Sequence, residues 1–137
     1  MKKNLTAIAD ELIERLLDCG FIIQRYDAYS TNSIYLKLDY GVSNSIRISD
    51  HRGKQKLSYR YNIGSDIAKR WQDDGQYTRY YFPADQIKQL VKLIIQERNE
   101  KIQRYGTKNY FQYMERNKEA GQTLPGFWQQ ARLIERR

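Results

Sequence analysis

The chain has 137 residues, with 24 basic against 16 acidic side chains and a formal net charge of +8. That length suits one domain, and a single cysteine and a single histidine exclude an internal disulfide and a Cys/His zinc cluster. No apolar run approaches the ~18–20 residues of a membrane span, and the opening residues lack the pattern of a secretory leader, so a cytoplasmic protein with no cofactor is expected. Apolar residues plus glycine, with tyrosine left out, make up roughly 37% of the chain, below the usual ~45–50%. The 12 tyrosines must therefore furnish part of the core.

The first segment predicts an amphipathic helix. Leu5, Ile8, Leu12, Ile13, Leu16 and Leu17 fall on one stripe, with Asp10, Glu11, Glu14 and Arg15 opposite. Thr6 is the expected N-cap, and Gly20 suits the left-handed position after the helix.

After Gly20 the period becomes two. Phe21 to Ala28 reads as a strand, and Tyr29-Ser30-Thr31-Asn32 as a turn. In Ser33 to Tyr40, Ile34, Leu36, Leu38 and Tyr40 share one face while Tyr35, Lys37 and Asp39 share the other. Ser45 to Ser49 alternates in the same way, with Ile46 and Ile48 inward and Arg47 outward. Asp50-His51-Arg52-Gly53 is expected to form a hairpin loop, followed by a strand with Leu57, Tyr59, Tyr61 and Ile63 inward. Such alternation predicts a meander with one solvated face.

Between Gly64 and Gln76 a short helical turn through Ile67, Ala68 and Trp71 is expected, and Tyr77 to Phe82 reads as a fifth strand. Pro83 is placed to open a helix carrying Ile87, Leu90, Val91, Ile94, Ile95 and Ile102, which should run to Tyr105 and stop at Gly106. Thr107 would cap a third helix ending at Gly121. The expected fold class is α+β, an N-terminal helix, a four- to five-stranded antiparallel meander sheet and two C-terminal helices on one side of it. Residues 1–121 would form the single domain and 122–137 a basic aromatic tail.

Charge is unevenly spread. Residues 98–137 hold nine basic against four acidic side chains, a net +5. The strand phases add a second patch on the outward sheet face, where Lys37, Arg47, Lys56 and Arg60 lie beside Tyr35, Ser45, Ser49 and Ser58, with His51 and Arg52 at the hairpin tip. Cations neutralise phosphates and tyrosine rings stack on unpaired bases, so this face is the expected nucleic-acid surface. The aromatic residues Tyr110, Phe111, Tyr113, Phe127 and Trp128, with Arg132, form the alternative: a protein-binding inhibitor or a homo-oligomer.

No catalytic constellation is expected. His51 reads as an exposed turn residue, and Cys19, beside Asp18, as a small buried hydrophobe. A metal-dependent nuclease would need an acid on one strand and an acid-x-Lys on the next. Tyr35-Leu36-Lys37 lacks that acid, which leaves Asp27 and Asp39 as the only ligands to offer.

The stretch from Ser33-Ile34-Tyr35-Leu36-Lys37-Leu38-Asp39-Tyr40-Gly41 through Ser45-Ile46-Arg47-Ile48-Ser49-Asp50-His51-Arg52-Gly53-Lys54, with Gly126-Phe127-Trp128-Gln129-Gln130-Ala131-Arg132, resembles small proteins of phages and prophages of Gram-positive bacteria. The helix–meander–helix layout is similar to some anti-CRISPR inhibitors of Cas9. The resemblance implies action inside a bacterial host cell as a host-defence inhibitor, with nucleic acid or a nucleoprotein such as Cas9 with its guide RNA as partner. Those inhibitors are frequently acidic mimics of DNA, whereas this chain is basic. The departure points toward direct contact with nucleic acid, and no functional residue is carried over.

Overall fold

The computed structural model describes residues 4–28, 33–49, 60–64, 70–73, 78–123 and 131–135. The first helix, α1 (Leu5–Asp18), buries Leu5, Ile8, Ala9, Leu12, Ile13 and Leu16 as the apolar stripe predicts. Its N-cap is Asn4 and not Thr6: the Asn4 carboxamide oxygen accepts from the Ala7 amide at 2.7 Å. Gly20 takes φ +85° beyond the helix end. Cys19 is exposed, which corrects the expectation of a buried thiol.

Among the described residues six strands precede the second helix: β1 (Ile23–Ala28), β2 (Ser33–Leu38), β3 (Asn44–Ser49), β4 (Tyr61–Gly64), β5 (Arg70–Asp73) and β6 (Thr78–Pro83). A seventh, β7 (Arg132–Ile134), follows the helices and pairs with β1. The sheet order is β5-β6-β4-β3-β2-β1-β7. The α+β class holds, but the sheet is mixed and not a meander: β3 with β4 and β4 with β6 run parallel, while the other pairs are antiparallel. Parallel neighbours are not joined by a tight hairpin, so β3 and β4 are not the two arms of the hairpin expected at Asp50-His51-Arg52-Gly53. Its residues lie outside the described ones. Arg70–Asp73 is strand, not part of the helical turn expected through Trp71.

The apolar faces of the strands meet α1 and α2 (Ile87–Tyr105). Ile23, Ile34, Leu36, Leu38, Ile46, Ile48, Tyr61, Ile63 and Phe82 join Ile87, Leu90, Val91 and Ile94 in one core. Pro83 ends β6, and a short 3-10 turn, Ala84–Gln86, leads into α2. The helix ends at Tyr105 as expected, and α3 (Thr107–Thr123) continues past Gly121.

Beyond Ile94 the inward stripe of α2 turns from apolar to charged, at Glu97, Arg98 and Lys101. Glu97 accepts from the Tyr61 hydroxyl and from Arg60 Nη2 at 3.0 Å. Burial pushes the Glu97 carboxyl above its ordinary value, against the pull of Arg60 and Lys101. Lys101 donates to the backbone oxygens of Val42 and Ser43, and burial lowers its pKa.

Arg98 reaches a second carboxylate, Asp39, at the end of β2. Asp39 is buried, and its Oδ1 accepts from the Ile22 amide at 3.0 Å. Its Oδ2 accepts from Arg98 Nε at 2.7 Å and from the Tyr110 hydroxyl of α3 at 2.6 Å. The backbone there turns through the left-handed region, with φ +51° at Asp39 and +55° at Tyr40. Two such non-glycine residues cost roughly 1–3 kcal/mol each. Three bonds to one buried carboxylate offset that strain, and burial with the Asp39 bond pushes the Tyr110 hydroxyl well above its ordinary pKa.

Asp39→Ala strands three donors and is expected to cost about 3–5 kcal/mol in chemical denaturation, while Tyr110→Phe costs about 1.5–3 kcal/mol. The double variant should lose less than the two losses added, because both remove the same bond. Glu97 gives a pH test. Its raised folded pKa contributes stability that is full below 4.5 and lost as pH rises through the folded value. Denaturation midpoints should show that slope in the natural chain and not in Glu97→Gln.

Candidate nucleic-acid interface

The sheet face opposite the helices carries Tyr35, Lys37, Ser45, Arg47 and Ser49 as strand phase predicts, whereas Asp39, expected there too, turns instead to Arg98 of α2 and Tyr110 of α3. Cross-strand register aligns Tyr26, Tyr35, Arg47, Asn62 and Tyr81 in one row over β1, β2, β3, β4 and β6. The phase is right, but solvation is not. Tyr35, Arg47, Asn62, Tyr81, Ser33 and Ser49 are all buried, and Lys37 is partly buried with its pKa lowered by desolvation. Arg47 Nη2 donates to Ser33 Oγ at 3.3 Å inside this layer. Alternation fixes which face a side chain takes; it does not fix what covers that face. Tyr35 and Arg47 are therefore not the exposed ring and cation expected of a binding surface.

Arg60 leaves the sheet face altogether. It turns to α2, bonding Glu97 with its guanidinium carbon 5.7 Å from the Tyr80 ring centroid. Lys56, His51, Arg52, Phe127 and Trp128 lie outside the described residues. Arg132 is exposed on β7, 3.8 Å from Asp27. The nuclease ligands are otherwise engaged: Asp27 binds Arg25 Nε at 2.8 Å, and Asp39 binds Arg98. Among the described residues there is no group of three acids, histidines or cysteines that could hold a metal ion, and no helix is long and apolar enough to cross a membrane.

The aromatic residues of α3 divide sharply. Tyr110 and Met114, one turn apart, are buried, so Tyr110 belongs to the core and not to a partner surface. Phe111 is 51% exposed and Tyr113 36% exposed. The rest of α3 is almost wholly solvated, with Lys108, Arg116 and Lys118 exposed beside Glu115 and Glu119.

One cluster joins a half-buried ring and an exposed ring to cations. Gly106, at φ +88° and ψ 145°, turns the chain between α2 and α3 in a conformation closed to other residues. Its amide donates to the Ile102 oxygen at 2.8 Å, and the Asn109 carboxamide covers the Tyr105 oxygen at 2.9 Å. This turn brings Tyr105, the last residue of α2, against Tyr113, with ring centroids 5.5 Å apart and ring planes at 90°. Arg104 lies 5.9 Å from the Tyr105 centroid and Arg116 lies 5.5 Å from that of Tyr113. The result is a surface array in the order Arg104, Tyr105, Tyr113, Arg116. The sequence carried a signal for it: Tyr113 and Arg116 are three apart on a helix, and so share a flank, while Arg104-Tyr105 adjoins the glycine that folds one helix onto the other.

Asn62 generates a stability prediction. Both polar atoms of its buried carboxamide lack a hydrogen-bond partner among the described residues. Asn62→Leu, of similar size, removes that penalty and should raise stability by about 1 kcal/mol in denaturant unfolding. No family model, curated protein or solved structure matches the chain.

Proposed function

We propose that the protein is a non-enzymatic binding protein that contacts nucleic acid, free or within a nucleoprotein complex, through the outer surface of α2 and α3. The observation that carries this reading is the Arg104–Tyr105–Tyr113–Arg116 array, exposed except for half-buried Tyr105, with Lys108 one turn from Gln112 and two from Arg116 on α3. Guanidinium groups bind phosphate through paired N–H donors, and phosphate contacts supply sequence-independent affinity. The location also suits the charge distribution, since the segment after residue 97 carries +5 of the net +8. Joined to the resemblance to phage-encoded inhibitors, the reading makes the nucleic acid of a host-defence complex the natural target. A second reading, docking of a protein partner or a second copy, is favoured by Phe111, 51% exposed on the opposite flank of α3.

Affinity for a short nucleic acid should fall roughly 10- to 100-fold between about 50 and 200 mM salt, as counterion release by a few phosphate contacts requires. Arg104→Gln with Arg116→Gln should weaken binding and flatten that dependence, read by fluorescence anisotropy. Binding indifferent to salt, or to these substitutions, would sink the proposal.

A further inference from the structure

We infer that the Arg104–Tyr105–Tyr113–Arg116 array takes single-stranded nucleic acid, stacking an unpaired base on the Tyr113 ring while the two guanidinium groups hold phosphates on either side. This rests on the reading of the helical surface as a nucleic-acid interface, and names the form of nucleic acid that it selects.

The order of groups carries the argument. In a duplex each base is covered on both faces by its neighbours, so a surface ring finds a base to stack on only where the strand is unpaired. Phosphate binding alone would need cations and no rings. Here two rings lie between two cations, and Tyr113 keeps 36% of its surface exposed while standing perpendicular to Tyr105. Contacts with Tyr105 and Arg116 already hold the ring, so little side-chain freedom remains to be lost on binding.

At about 100° per residue, Asn109, Tyr113 and Arg116 share one flank of α3, whereas Glu115 falls nearer Phe111 and Glu119 lies one turn beyond Arg116. Between Arg104 and Arg116 the line passes over the two rings, and the carboxylates of Glu100 and Glu119 lie one turn beyond its two ends.

The test compares three ligands of about 15 nucleotides by fluorescence anisotropy at low salt: an oligothymidylate, an abasic sugar–phosphate chain of equal length, and a duplex. The oligothymidylate should bind about tenfold more tightly than the abasic chain. Tyr113→Leu should erase that difference by weakening the oligothymidylate far more than the abasic chain, and Tyr113→Phe should restore it; circular dichroism should find all three proteins equally helical. Equal affinity for the first two ligands, or tighter binding of the duplex, overturns single-strand stacking while leaving the nucleic-acid surface standing. Failure to bind any of the three overturns both.

Discussion

The buried carboxylate of Asp39 is the constraint on which the molecule's arrangement depends. It sits where β2 ends, and its bonds reach the chain before β1, the middle of α2 and the first turn of α3. A buried charge is tolerated only when its oxygens are satisfied, and here each partner comes from a different element. Asn117 adds a bond from α3 to the Tyr40 carbonyl at 2.9 Å. Since α3 buries only Tyr110 and Met114 among its large apolar side chains, it is the Asp39 bond that fixes how the helix lies. The approach of Tyr113 to Tyr105 follows from that placement.

The same device occurs twice. Tyr61 and Tyr110 are buried rings whose hydroxyls meet Glu97 and Asp39, and each carboxylate is also bound by an arginine, Arg60 or Arg98. A core short of aliphatic residues is thus completed by tyrosine at the cost of supplying an acceptor for each hydroxyl. The acceptor's charge in turn demands a cation. Each such pair is neutral, so the net excess of +8 is carried by the other side chains. Arg25 belongs to the same group, buried between Asp27 and Asp10.

What the sequence revealed was local. The stripe of α1, the inward phase of Ile34, Leu36, Ile46 and Ile48, and the stop at Gly106 depend on neighbours a few positions away, and periodicity reports them. The parallel pairing of β3 with β4 depends on where a distant segment returns, and the two-residue period is the same for either direction. Burial of Arg47 and Asn62 escaped for a related reason, since a polar face looks alike whether water or chain lies over it. Glu97, Arg98 and Lys101 continue the helical spacing of Ile94, and their charge hid an inward stripe that switches from packing to bonding. Tyr110 and Tyr113 are three positions apart with the same side chain, and only the direction of α3 separates core from surface.

The pairing of β7 with β1 has a consequence for the chain as it is made. Residues 132–134 lie against residues 23–25, so the outer edge of β1 has no partner until more than a hundred further residues have left the ribosome. Contacts this distant in sequence form late, because loop closure must precede them. Until then β1 offers unpaired amides and carbonyls, which are a template for another strand. The edge strand that finally covers them is short and carries Arg132, a charge that discourages further strands from adding. Closure of that sheet edge thus waits on residues more than a hundred positions downstream of the strand it protects.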